Sequence, residues 1–157
     1  MPPVNWEDDI TRAPWGEGDE LPAHNDSCMV CGVDSAASPL LERFRVRAGG
    51  EVGARVRFDA RHQGAPYYAH GGMVAAVLDD AAGYVSFLVQ RMFVTAHLEV
   101  DYRRPVVLEQ EYDVRARCTG IDGRKVSLAA ELVDADGTEV AQARGLVVTV
   151  DVEHFRP

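Results

Sequence analysis

The stretch His70-Gly71-Gly72-Met73-Val74-Ala75-Ala76-Val77-Leu78-Asp79-Asp80-Ala81-Ala82-Gly83 decides how this chain is read: a diglycine opens onto an apolar run carrying two adjacent carboxylates. From about Met73 to Val89 those aspartates are the only charges. Burying a charge without a specific partner is expensive, so the pair asks for a chemical explanation. The run predicts a helix over about 70–90. Apolar nearly all round, it marks an element enclosed by the rest of the protein.

Upstream of it lies a loop, Arg61-His62-Gln63-Gly64-Ala65-Pro66-Tyr67-Tyr68-Ala69. Before the loop the pattern alternates: Leu41, Arg43, Arg45 and Arg47 interleave with Leu40, Glu42, Phe44 and Val46, and Val52, Ala54, Val56 and Phe58 with Arg55, Arg57 and Asp59. Two strands joined around Gly49-Gly50 account for that. Downstream, Thr95 to Tyr102 and Tyr112 to Thr119 alternate, and Val126 to Val133 and Val140 to Val150 are rich in β-branched residues, with Asp122-Gly123 and Asp136-Gly137 as hairpin turns. The expected order is two strands, one long buried helix, then four strands in a meander. A twisted antiparallel sheet of about six strands wrapped around the helix, an α+β arrangement, satisfies it. Residues 1–38, rich in Pro, Gly, Asp and Glu, read as an irregular arm anchored by Trp6 and Trp15, and residues 39–157 as the folded domain.

At 157 residues, 46% of them hydrophobic, the chain is the size of one domain with a sizeable core. A formal charge of −9 opposes extended contact with a phosphate backbone, so no nucleic-acid partner is expected. There is no basic segment followed by an apolar one at the N-terminus, and the long apolar run is shorter than the roughly 20 residues of a membrane helix. The expectation is a soluble, cytoplasmic protein without a membrane partner. Three cysteines make no disulfide framework. Cys28, Cys31, Cys118 and His24 offer four metal donors on paper, but structural zinc usually takes two closely spaced pairs and only Cys28 with Cys31 is one, so no metal is expected.

The element order, with His62-Gln63-Gly64, His70-Gly71-Gly72, Leu78-Asp79-Asp80-Ala81-Ala82-Gly83 and Thr95-Ala96-His97-Leu98-Glu99-Val100-Asp101-Tyr102-Arg103-Arg104-Pro105-Val106, closely resembles the hotdog-fold thioesterases, in particular the phenylacetate-pathway, PaaI-like branch of acyl-CoA thioesterases. Asn25, Cys28, Cys31 and Gly32 resemble a lead-in motif of some members. The resemblance runs from about Cys28 to Val150 and rests on several motifs in order. It implies a hotdog fold and hydrolysis of an acyl-CoA thioester to free acid and CoA. No cofactor is implied, since CoA enters as part of the substrate.

Asp79 matches the family position of the general base or nucleophile. Its apolar neighbours Val77, Leu78 and Ala82 disfavour the charged form and should raise its pKa above the usual carboxylate range of about 3.9. It would then activate water against a thioester carbonyl. The plain alternative is a helix aspartate bonded to a strand hydroxyl or to a partner chain. Asp80 points about 100° away from Asp79 and is expected to pair with an arginine or the second subunit. His70, Gly71 and Gly72 stand where free amides and the positive helix end converge, and by resemblance Gly71 supplies the oxyanion donor while His70 orients the site. Alternatively the glycines only allow a tight turn and His70 is a core histidine. Thr95 matches a family position whose hydroxyl helps hold the attacking water, and Gln63 a residue at the site rim.

Arg103, Arg104, Arg124 and Lys125 are candidates for the CoA phosphates. Asp101 completes the substrate-binding set with Gln63 and Gly72. Tyr67, Tyr68, Tyr84, Phe87 and Met92 are candidates for an acyl pocket or for core.

Spacing bears on assembly. Nine residues of one helix separate His70 from Asp79 by about 13 Å and half a rotation. Two antiparallel helices about a two-fold axis would bring Asp79 of one subunit beside His70 and Gly71 of the other, so a homodimer or a dimer of dimers is expected. Two other readings stay open: a non-catalytic acyl-CoA-binding module on the same fold, and a hydratase or dehydratase acting on the acyl chain.

Overall fold

A computed structural model describes residues 6–12 and 14–157, with side chains from Asp8 onward. Six antiparallel strands form one sheet: β1 (Arg45–Arg47), β2 (Glu51–Arg57), β3 (Phe93–Tyr102), β4 (Glu111–Asp122), β5 (Lys125–Val133) and β6 (Glu139–Thr149). Helix α2 (Gly71–Val89) packs on it, against β4 first and then β5, β3, β6 and β2. A short helix α1 (Trp6–Thr11) leads the chain. This is the helix-in-sheet architecture that the alternation and the apolar run predict.

The strand order is β1-β2-β4-β5-β6-β3, which corrects the expected meander. Strands β4, β5 and β6 do follow one another through tight turns, but β3 leaves the helix and pairs with β6 at the far edge. Alternation fixes which face of a strand is buried and says nothing of its neighbours, so the crossover was not readable. Its consequence for function is that the strand following α2 is an edge strand.

Helix α2 starts without a Ser, Thr, Asp or Asn cap. The His70 ring takes that role, its Nδ1 accepting the Gly72 amide at 2.9 Å. The helix ends at Gln90, left-handed at φ 54°, whose amide donates to Ser86. Its all-round apolarity has two causes. Val74, Val77, Leu78, Ala81 and Val85 are buried, while Tyr84 stacks on Phe44 at 4.1 Å and Phe87 meets Trp15 edge-on at 5.6 Å. By length and composition α2 could also cross a membrane; here it is a core helix lying on the sheet. Replacing Leu78, fully buried, by alanine is expected to cost about 2–5 kcal/mol of stability, read as a lower urea midpoint.

The N-terminal segment is less irregular than expected. Besides α1 it contributes Ile10, Leu21, Ala23 and Val30 to the core. Trp15 anchors it on α2, its ring edge-on to Phe87 at 5.6 Å, and its indole N–H donates to Asp9 O at 3.1 Å within the segment, whereas the Trp6 side chain lies outside the described residues. Tyr84 and Phe87, candidates for an acyl pocket, are buried core.

Candidate functional site

Four of the residues singled out above stand on two short pieces of backbone, the start of α2 and the first half of β3. At the helix start the Gly72 amide is used by His70, leaving the Gly71 amide as the donor with no partner among the described residues. His70 itself is exposed, so it is a cap rather than a core histidine. The Tyr102 hydroxyl, from the end of β3, donates to Gly71 O at 2.7 Å and holds this turn in place. Tyr102 was not singled out from sequence, where it read as one more strand aromatic.

Two and a half turns along the helix, Asp79 is half-buried and accepts a hydrogen bond from Thr95 Oγ1 at 2.9 Å. A β-bulge makes this contact possible. Thr95 lies opposite Val147 and Leu98 opposite Gly145, so Ala96 is an extra residue between them. Val147 and Ala143 are both buried, and with the bulge Thr95, Leu98 and Val100 all face the same side as those two. Without it Thr95 and Leu98 would point to opposite faces.

Asp79 and Thr95 line an open cavity of about 320 Å³ together with Met92, Phe93 and Ser86, and with His24 and Asn25 of the N-terminal segment. A bond to a strand hydroxyl fits a packing role as well as a chemical one. His70 and Gly71 do not line this cavity, so within one chain the acid and the free amide stand apart.

Asp80 does not pair with an arginine. It turns into the N-terminal segment, where Oδ1 lies 3.1 Å from His24 Nδ1 and accepts from Cys28 Sγ at 3.4 Å. Its side chain is 9% exposed and its Oδ2 has no partner among the described residues. Burial pushes the Asp80 carboxyl up against the pull of His24. Burial acts downward on His24, but its bonds to Asp80 and Cys28 outweigh that and raise it. Of the two adjacent carboxylates the truly buried one is therefore Asp80. The sequence could not say so, because its partners lie 56 and 52 residues away.

The proposed substrate-binding residues do not form one cluster. Asp101 accepts from Gln142 Nε2 and Arg103 is paired with Glu139, near the Gly71 end of the helix through Tyr102. Arg124 donates to Thr149 O in the turn that Arg91, past the other end of α2, also reaches. Arg104 and Lys125, exposed and one in each group, have no ion-pair partner among the described residues. Gln63 is exposed in the loop before the helix, its Oε1 accepting the Tyr67 amide at 3.3 Å. That loop also holds Tyr67, 77% exposed at φ 72°, a left-handed conformation unusual for an aromatic residue.

Residues 68–141 match a family model described as Thioesterase superfamily. The acyl-coenzyme A thioesterase THEM4 of Rattus norvegicus is 31% identical over 90 residues, 57% of this chain and 39% of the relative. The chain thus spans well under half the length of that relative. Among solved structures, the thioesterase superfamily protein RHA08564 superposes with a TM-score of 0.74 at 28% identity, over 78% of this chain and 60% of that one. A hypothetical thioesterase from Streptococcus pneumoniae TIGR4, solved with coenzyme A, gives a TM-score of 0.62 at 17% identity, covering 64% and 79%. The PaaI protein of Escherichia coli gives 0.60 at 20%, covering 65% and 74%. The last two are likenesses of fold.

Proposed function

We propose, starting from a hotdog core similar to those of the thioesterase superfamily, that this chain hydrolyses acyl thioesters of coenzyme A at two composite sites of a homodimer. The observation that carries the reading is the Asp79–Thr95 pair at 2.9 Å, beside a cavity and at an edge strand. In the proposed reaction the Asp79 carboxylate takes a proton from water while the water oxygen attacks the thioester carbon. The carbonyl oxygen becomes an oxyanion facing the Gly71 amide of a second copy of this chain. When the intermediate collapses the C–S bond breaks, and the departing CoA thiolate recovers the proton from Asp79. Thr95 fixes the rotamer of the acid by its hydrogen bond.

The dimer is supported by β3. It is ten residues long, sits at the sheet edge and exposes Thr95, Ala96 and His97. A long open edge is a template for another strand. Pairing of two β3 strands about a two-fold axis sets two α2 helices antiparallel and brings each Asp79 toward the other Gly71. It also brings the Arg104 end of one chain toward the Lys125 end of the other, which suits the phosphates of CoA.

The test is incubation of the protein with a panel of acyl-CoAs and a thiol reagent. Release of free CoA with matched loss of acyl-CoA is the expected result. Binding of acyl-CoA without thiol release would instead identify a carrier module, and change in the acyl chain with the thioester intact would identify a hydratase. The related enzyme named an acyl-coenzyme A thioesterase and the relative solved with coenzyme A support placing CoA thioesters first in the panel.

A further inference from the structure

We propose that His24, Cys28, Cys31 and Asp80 form a tetrahedral site for a zinc-class divalent ion that fastens the N-terminal segment to helix α2. One donor atom from each of the four lies within 4.8 Å of every other. His24 Nδ1 is 3.1 Å from Asp80 Oδ1, Cys28 Sγ is 3.4 Å from the same oxygen, and Cys31 Sγ is 3.6 Å from His24 Nδ1. With Zn–S near 2.3 Å and Zn–N or Zn–O near 2.0–2.1 Å, tetrahedral ligands stand about 3.3–3.8 Å apart. Two of these three distances fall within that range and the third lies just below it, and all donor pairs are within 4.8 Å.

The orphaned Oδ2 of Asp80 points the same way. His24 and Cys28 both meet Oδ1, so a carboxylate buried to this degree keeps its Oδ2 unmatched, and a cation held by both oxygens would satisfy it. The fourth ligand, Asp80, comes from helix α2 rather than from the cysteines. Cys118, the other cysteine considered, lies on β4 against Gly120 O and takes no part.

Local backbone is shaped for two sulfurs. The amides of Val30 and Cys31 donate to Cys28 Sγ, the kind of outer-shell bond that steadies a thiolate ligand. The Gly32 amide closes the turn on Cys28 O at 2.9 Å, and a Cβ on Gly32 would lie 2.4 Å from Asp26 O, so the turn that aims both thiols inward requires glycine there. On the helix, Gly83 follows Asp80 by one turn, and a Cβ there would lie 3.0 Å from His24 Cε1. A glycine inside a helix is otherwise unfavourable, and here it admits the ring that reaches Asp80.

Two thiolates, one imidazole and one carboxylate fill four positions and leave none for substrate, so the site is structural. Its place still matters, since His24 and Asn25 line the cavity beside Asp79. The site does not depend on the thioesterase reading.

The full chain, purified with reductant and zinc and then dialysed, is expected to carry about one zinc per chain by elemental analysis. Its cobalt(II) form is expected to show thiolate-to-metal charge transfer and intense tetrahedral visible bands. Asp80→Asn and Cys31→Ser should each lose about ten-fold or more of the bound metal, with the helical circular dichroism checked for each. Stripping the zinc should open residues 14–38 to protease while the sheet resists. Less than about a tenth of a zinc per chain in the wild type, an octahedral cobalt spectrum, or a Cys28–Cys31 disulfide by intact mass under these conditions overturns the proposal. The wild-type measurements decide the matter even if a variant fails to fold.

Discussion

Asp79→Asn is expected to lower acyl-CoA turnover by about two to four orders of magnitude with the unfolding midpoint little changed. Asparagine keeps the shape of the side chain and an Oδ1 able to accept from Thr95, so the 2.9 Å bond and the rotamer survive. It loses the ability to take a proton from water. Steady-state rates with the best substrate of the panel should therefore show a fall in kcat with KM nearly constant. A variant that hydrolyses at close to the parent rate would remove Asp79 from the reaction and leave it a packing residue.

Gly71→Pro is expected to cost about 10²–10³-fold in turnover, the effect of deleting one oxyanion donor. The substitution is unusually clean at this position. Gly71 is the first residue of α2, where proline is favoured, and its amide has no partner to lose among the described residues. His70 already has φ −62° and ψ 132°, the extended conformation that a residue before proline adopts. Gly71→Ala is the control. Its Cβ would meet the Tyr102 ring at 3.5 Å, an ordinary contact, and the amide remains, so most activity should persist. The two inactive variants together test the composite site. Random pairing of Asp79→Asn with Gly71→Pro chains puts half the protein in heterodimers with one intact site of two, restoring about a quarter of parental activity. No recovery on mixing would confine each site to one chain.

Much of the frame was legible because the signals were local. The apolar run gave α2 to within about a residue at each end, and β4, β5 and β6 fall where alternation and Asp-Gly turns put them. Contacts between distant segments were not legible. Nothing in Thr95-Ala96-His97-Leu98 announces a bulge, since a β-strand and a bulged strand draw on the same residues. The route of β3 to the far edge, the six-residue helix α1 and the burial of Asp80 against His24 depend likewise on tertiary packing. The adjacent carboxylates were correctly seen as needing partners, and the partner of one lay in a segment that composition marked as irregular.

The single extra residue at Ala96 sets β3 in two phases: the rung at Thr95 serves the acid, and the rungs from Leu98 onward serve the core. Deleting Ala96 would put them out of step, turning either the hydroxyl or the two apolar anchors toward solvent. Loss of this one methyl-bearing residue should thus harm more than trimming its side chain to glycine, which leaves the count intact. The spacing between hydroxyl and first anchor is a length that the strand must keep, whatever side chain fills the gap.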